Sequence, residues 1–451
     1  MNFLCKLGIK KIYLLIKNKK ISNYELVKIC LNNLNKFKNK NNFNVEIFYK
    51  ESLNFAKLMD KKHIINIPIS IKNIFNIKNK KLTCNSKILK RYVSFYDSYI
   101  IKILKKNYFN ILSTDKCDEF CIGETGLNNN LIKNIYNKNY ITGGSSSGTA
   151  INISFSGNLI SIGSDTGGSC RTPSSFCNII GFKPTNGLIS REGMVPYSSY
   201  LDNCSIISNN TEDCKFLFKI LSNKNIDLNY NIKKIFFNLK KNKIIILDYK
   251  EFFLDFEFLN LFNIIIKNFE QLGFKIIKLK LNFLSFINIY DSFSSKEFYS
   301  NSCKFDGIKF GFKKKIYKNI NDFVKLNRIF SKKTKNKILK GYNYLQMENF
   351  YKKEINFLKN IFEKIFLTSN FIIIPTNIKH FKIKNTKFSD LIDIFTVISN
   401  ILGYPTINIR SGFINHLPIG FQIISDKNFD NDLLNIAYLF ESTYFKNYVF
   451  S

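Results

Sequence analysis

Gly143-Gly144-Ser145-Ser146-Ser147-Gly148, followed by Gly163-Ser164-Asp165-Thr166-Gly167-Gly168-Ser169, breaks the pattern of an otherwise lysine-rich chain of 451 residues. The segment from Gly143 to Gly193 holds ten of the 20 glycines but a single lysine, Lys183, in a chain with 68 Lys and Arg. Clustered glycine means backbone conformations or close approaches that a side chain would block. A flexible Gly/Ser linker would have a similar composition. Here, however, the apolar stretches Ala150–Phe155, Leu159–Ile162 and Ile179–Phe182 alternate with the loops, and a linker has no use for them. The segment reads as a built loop system.

Outward from it, strands alternate with helices. Ile67–Ile71 alternates apolar residues and reads as a strand, Asp97–Lys106 as a helix and Phe109–Leu112 as a strand. Thr149–Ser156 starts a helix and Leu159–Gly163 is a strand. Lys243–Leu247 and Phe274–Ile277 read as strands flanking a helix at about 256–272. Lys335–Phe366 reads as one long helix, Phe371–Ile374 as a strand ended by Pro375, and Leu391–Leu402 as a helix. Thr406–Ile409 and Ile419–Ile424 are strands, and Asp430–Glu441 is a closing amphipathic helix. This order predicts an α/β fold, a mixed central sheet covered by helices on both faces. No internal repeat and no splitting linker is evident, so one domain over residues 1–451 is expected.

Composition narrows the classes. A hydrophobic fraction of 45% with 15% aromatics is ample for a core, which excludes global disorder. No apolar run reaches the roughly 18–20 residues of a membrane helix, and Ile12–Ile16 is short and lysine-flanked, a poor signal peptide. The formal net charge is +35, which raises nucleic acid as a partner. Only five residues are Arg, however, and the lysines are spread along most of the chain. Surfaces selected for nucleic acid usually use the planar guanidinium, so compositional drift competes with that reading. Ten cysteines occur without a C-x-x-C pair, and His63, His380 and His416 are the three histidines. A zinc cluster is not expected, and reduced thiols point to a cytoplasmic protein.

The two glycine loops admit two chemistries. Glycine-rich loops before helices cradle phosphates, yet neither loop has the Gly-Lys-Ser/Thr of a P-loop or the G-x-G-x-x-G of a dinucleotide fold. The alternative is a serine nucleophile. The N–H groups of Thr166, Gly167, Gly168 and Ser169 would converge on one point, as an oxyanion hole requires. No histidine lies in these loops, so the base would come from elsewhere, and Ser-Lys arrangements do without histidine. Lys72 is the candidate, because it directly follows the strand-like Ile67–Ile71. A lysine desolvated there gives up its charge readily, and a neutral lysine is a competent base. The bland alternative is one more solvated lysine.

These residues resemble the amidase signature family. The match runs through Gly143-Gly144-Ser145-Ser146, Gly163-Ser164-Asp165-Thr166-Gly167-Gly168-Ser169, Arg171, Pro173 and Gly181-Phe182-Lys183-Pro184-Thr185. The resemblance implies the amidase signature fold, with Ser169 as nucleophile, Ser145 as bridging relay, Lys72 as base and a cis peptide at Ser145. Within the family, the chain is similar to the A subunits of glutamyl-tRNA(Gln) amidotransferases. Leu82-Thr83-Cys84-Asn85-Ser86-Lys87-Ile88-Leu89, Asp118-Glu119-Phe120, Phe305-Asp306-Gly307-Ile308 and Asp393-Ile394-Phe395-Thr396 carry that likeness. It implies a glutaminase whose ammonia passes to a partner, the B subunit of the amidotransferase. There ATP and Mg²⁺ would activate Glu-tRNA(Gln), with a small C subunit completing a heterotrimer. It implies no cofactor or metal in this chain.

A Tyr, an Arg and an Asp hold glutamine in such subunits, and the matching positions here are Tyr290, Lys337 and Asp393. Lys337 in place of Arg keeps the charge and loses the bidentate fork, so weaker glutamine binding is expected. Asn73 stands where the family has Asp after its catalytic lysine, while Ser147 and Thr149 are mild departures. A stand-alone amidase acting on another amide is the rival within the family.

Overall fold

The computed structural model describes residues 4–41, 43–127, 132–222, 243–248, 256–311, 317–345, 348–384 and 391–445. Among these residues the frame is an eleven-stranded sheet in the order β1-β3-β2-β4-β6-β5-β10-β11-β9-β7-β8. The strands are β1 (Asn44–Ile47), β2 (Pro68–Lys72), β3 (Asn110–Asp115), β4 (Ile160–Asp165), β5 (Ile180–Lys183), β6 (Asn203–Ser208), β7 (Lys243–Leu247), β8 (Lys275–Leu279), β9 (Phe371–Pro375), β10 (Thr406–Ile414) and β11 (Leu417–Ser425). Parallel pairs join β3, β2 and β4 on one flank and β9, β7 and β8 on the other. The middle, from β4 through β9, is antiparallel. The sheet is therefore mixed, as expected. Every residue of β2, β4, β5, β6, β9 and β11 is buried, which requires cover on both faces.

Burial on both faces explains β2. Its apolar alternation suggests a half-exposed strand, yet Ser70 is as buried as Ile69 and Ile71. The Ser70 hydroxyl donates to the Asp115 carboxylate at 2.5 Å and shares a 2.6 Å bond with Ser161, so the polar row of the strand is satisfied internally.

Most boundaries lie within a few residues of expectation, and three differ with a cause. The expected long helix over 335–366 is two helices, Lys332–Asn343 and Glu348–Thr368, and residues 346–347 lie outside the described residues. The first starts earlier because the Ser331 side chain caps it by accepting from the Thr334 N–H. It ends after Gly341 and Asn343, weak helix formers. The expected helix over 391–402 is confined to Val397–Leu402. The preceding turn folds back on the Asp393 carbonyl, which accepts from the Thr396 and Val397 N–H groups at 3.0 and 3.1 Å. β10 and β11 run longer than expected and meet at Asn415-His416, both at positive φ (50° and 63°), as a two-residue hairpin turn needs. Among the described residues, no helix is long and apolar enough to cross a membrane.

Candidate active site

Lys72 is the last residue of β2, flanked by β3 and β4. It is fully buried, and its Nζ donates to three hydroxyls: Ser145 Oγ at 2.8 Å, Ser146 Oγ at 2.9 Å and Ser164 Oγ at 2.8 Å. Ser164 comes from the neighbouring strand β4. Ser145 and Ser146 come from the first glycine loop as it enters the helix Ser147–Ser154, and the Gly144–Ser145 peptide is cis. The Asn73 side chain makes no hydrogen bond to Lys72 Nζ. Its amide accepts from the Thr83 N–H and hydroxyl at 2.7 and 2.8 Å and donates to the Lys81 carbonyl, anchoring that loop.

The second glycine loop is shaped by a buried ion pair. Arg171 Nε and Nη2 donate to the two Asp165 oxygens at 3.0 and 2.9 Å, and both side chains are fully buried. Burial pushes the Asp165 carboxyl up, but the Arg171 charge and hydrogen bonds outweigh it and hold the group low, at about 2. Remaining guanidinium donors go to the Thr396 carbonyl, Gln422 and Asn400. The same carboxylate accepts from the Gly168 N–H at 2.9 Å and the Cys170 N–H at 3.1 Å. Gly168, expected as an oxyanion donor, thus has its N–H committed to Asp165. The Thr166, Gly167 and Ser169 N–H groups donate to none of the described residues.

The two loops are tied together. The Ser146 N–H donates to the Ser169 carbonyl at 3.0 Å. The Ser169 hydroxyl itself makes no hydrogen bond to the described residues and faces a cavity of about 460 Å³. Tyr290, Lys337 and Asp393 line the same cavity, although they come from three separate elements.

Two glycines show why the loop lacks side chains. A Cβ on Gly167 would lie 2.5 Å from the Tyr290 hydroxyl, and one on Gly168, at φ +135°, would lie 2.2 Å from Thr396 Oγ1. The wall therefore packs directly on the turn that carries Ser169.

The helices Phe283–Ser302 and Lys332–Asn343 form that wall, packed so closely that a Cβ on Gly341 would meet the Ser295 carbonyl at 2.1 Å. Lys337 Nζ donates to Asp291 Oδ1 at 2.7 Å and lies 5.7 and 5.9 Å from the Tyr290 and Tyr197 ring centres. Burial lowers its affinity for a proton, but Tyr197 and Asp291 more than offset this and keep the ammonium above its ordinary range. Asp393 accepts from the Thr172 hydroxyl at 3.2 Å. Burial, and then the Glu124 and Asp165 charges, hold its carboxyl well above the usual carboxylate range.

Sequence reasoning did not single out Ser146 and Ser164 as partners of Lys72, although both stand inside the quoted loops. It missed Asp291, because its pairing with Lys337 depends on two helices meeting 46 residues apart. Among the described residues, no group of three or more His, Cys, Asp or Glu side chains could hold a metal ion.

Comparison with known proteins adds to this geometry. The family model described as amidase matches residues 25–434. The A subunit of the glutamyl-tRNA(Gln) amidotransferase of Clostridium botulinum (strain Loch Maree / Type A3) is 32% identical, over 98% of this chain and 98% of the relative. An A subunit of the glutamyl-tRNA(Gln) amidotransferase of Clostridium acetobutylicum is also 32% identical, over 95% of each. Among solved structures, the corresponding A subunit of Thermotoga maritima superposes with a TM-score of 0.79 at 24% identity, covering 98% of this chain and 95% of that one. A crystal structure of an amidase superposes with a TM-score of 0.84 at 18% identity, covering 97% and 99%.

Proposed function

The chain belongs to the amidase family, and on that premise we propose that it is the glutaminase component of a tRNA-dependent amidotransferase. The observation that carries the reading is Lys72 Nζ at 2.8 Å from Ser145 Oγ, on a loop hydrogen-bonded to Ser169 at the cavity. Lys72, in its neutral form, takes a proton from Ser145, which takes one from Ser169. The Ser169 hydroxyl turns toward Ser145 for this step, since catalytic hydrogen bonds often tighten only when substrate is bound. Ser169 Oγ bonds to the side-chain amide carbon of glutamine. The Thr166, Gly167 and Ser169 N–H groups hold the oxyanion, each such donor contributing roughly 2.7–4 kcal/mol. The C–N bond then breaks, the relay returns a proton to the departing ammonia, and water frees glutamate from the ester.

On this reading Lys337 faces the α-carboxylate of glutamine and Asp393 its α-ammonium, with Tyr290 closing the site. An arriving ammonium offsets the burial and the neighbouring charges that raise the Asp393 carboxyl. The relatives are named as A subunits, which supports an assembly with further subunits; on the reading proposed, ammonia passes to a B subunit. There ATP and Mg²⁺ would supply the activation of Glu-tRNA(Gln), and a C subunit would bridge the two.

The test is glutaminase activity with and without co-expressed partner subunits, in wild type and Ser169→Ala. A drop in kcat of about a thousandfold or more is expected for the variant. Activity that survives Ser169→Ala excludes the mechanism. Activity on other amides without any partner favours the stand-alone amidase.

A further inference from the structure

Three buried cysteines, Cys84, Cys117 and Cys121, stand around Lys72, and the proposed reaction uses none of them. Cys121 differs from the other two because it lines the cavity together with Ser169. It is reachable through that cavity although its own exposure is 4%. Its Sγ lies 3.7 Å from Ser164 Oγ, and the same hydroxyl receives a hydrogen bond from Lys72 Nζ at 2.8 Å. The backbone holds it there. Cys121 sits at φ +64° at the end of the short 3₁₀ turn Glu119–Cys121, with its N–H on the Asp118 carbonyl at 2.9 Å.

We propose that Cys121 is a modification site for small electrophiles entering the cavity, hydroperoxides foremost, and that Cys117 is the thiol that resolves the product. The Cys117 thiol donating to Cys121, together with the Lys72 charge and the Ser164 and Ser145 hydroxyls, holds the Cys121 thiol low, at about 5, against the upward push of burial. Cys117 is pushed up in turn by the hydrogen bond to Cys121. Thiolate character together with access marks a reactive cysteine.

The chemistry balances with a hydroperoxide as oxidant. The Cys121 thiolate attacks one peroxide oxygen, an S–O bond forms, the O–O bond breaks, and hydroxide (or alkoxide) leaves and takes up a proton. The sulfur has given up two electrons and become a sulfenic acid. The Cys117 thiol then attacks that sulfur, the S–O bond breaks, and water leaves from a Cys117–Cys121 disulfide. Either product disturbs the hydroxyl cluster that holds Lys72.

The effect on glutamine hydrolysis rests on the role proposed for Lys72, whereas the modification itself does not. The experiment therefore reads both. The full chain, co-purified with any partner subunits, is treated with hydrogen peroxide and trapped with dimedone or iodoacetamide. Its cysteines are then mapped by mass spectrometry alongside glutaminase assays. Cys121 is expected to react before Cys303, the exposed cysteine, and activity should fall in step and return with dithiothreitol. Cys117→Ala should accumulate the sulfenic acid in place of the disulfide. Cys121→Ala and Cys121→Ser, each referred to its own untreated activity, should lose activity at least about tenfold more slowly than wild type. Oxidation of Cys303 or another cysteine ahead of Cys121 overturns the proposal, whatever the enzyme hydrolyses. Loss of activity by both Cys121 variants at the wild-type rate overturns its link to catalysis.

Discussion

Lys72 and Lys337 are both lysines of the Ser169 site, and their surroundings are opposite in kind. Lys72, on a strand, is wholly buried among three hydroxyls. Lys337, on a helix, faces the Asp291 carboxylate and two aromatic rings, with 12% of its side chain exposed. Hydroxyls can hold a lysine in either protonation state, because each both donates and accepts. A carboxylate holds only the ammonium. The difference extends to the regions around them. In the floor built by the glycine loops, the ion pair Asp165–Arg171 is fully buried and serves the backbone of the turn that carries Ser169. In the helical wall, Asp291 is 32% exposed and is shared by Lys337 and the surface lysine Lys340. The floor is organised to keep one geometry, and the wall keeps a fixed charge beside the cavity.

The largest expected effect tests that contrast in stability. Arg171→Met leaves Asp165 as a buried charge without its partner and should cost about 3–5 kcal/mol in urea unfolding. Lys340→Ala removes an exposed partner of Asp291 and should cost under about 1 kcal/mol. Equal losses would mean that floor and wall do not differ in the way the burial implies. Glutaminase activity separates the two as well. Arg171→Met loosens the turn that carries Ser169 and should lower kcat, whereas Lys340→Ala should leave kcat near wild type.

Acid stability sharpens the comparison at a smaller scale. The Asp165 carboxyl is depressed to about 2 in the folded chain. A depressed carboxyl contributes stability that is present above its unfolded value, near pH 4, and that is lost as pH falls through the folded value. The loss between pH 4 and pH 2 should be about 2 kcal/mol. Asp291 is also held low, since Lys337 and Lys340 outweigh its burial, but its partial exposure lets salt screen the effect. Unfolding titrations at low and high salt should therefore share one salt-resistant acid limb, and Arg171→Met should abolish it. An acid limb unchanged in that variant would assign it to other carboxylates.

The floor was legible in the sequence and the wall was not, for a physical reason. Glycine and serine crowded between Gly143 and Ser169 are what a backbone-built site demands, so local composition exposed the two loops and Ser169. Even Lys72 could be nominated locally, from its place at the end of an alternating apolar run. The α/β reading came from strand-length apolar runs such as Lys243–Leu247, whose burial is now explained by cover on both faces. Tyr290, Lys337 and Asp393 carry no local signal. Each is an ordinary residue on a helix or turn, and they meet only because Gly341 and Gly167 permit close packing. They entered through family resemblance alone. The antiparallel centre of the sheet was equally hidden, because Asn203–Ser208 is a polar-looking run whose buried hydroxyls give no strand signal.

The smallest expected effect concerns the wall cation itself. Lys337 already spends one donor on Asp291 Oδ1 and approaches the Asp291 carbonyl at 3.4 Å. An ammonium has three donors in all, so little remains for a ligand carboxylate. A guanidinium has five donors in a planar fork and can serve Asp291 and a bound carboxylate together. Lys337→Arg should therefore lower the KM for glutamine by about three- to tenfold, roughly 1 kcal/mol, with kcat unchanged. Asp291→Asn approaches the same question from the other side, freeing the ammonium without changing its charge, and should also lower KM. If neither variant moves KM, Lys337 does not face the substrate carboxylate, and the wall's fixed charge serves only to hold its two helices together.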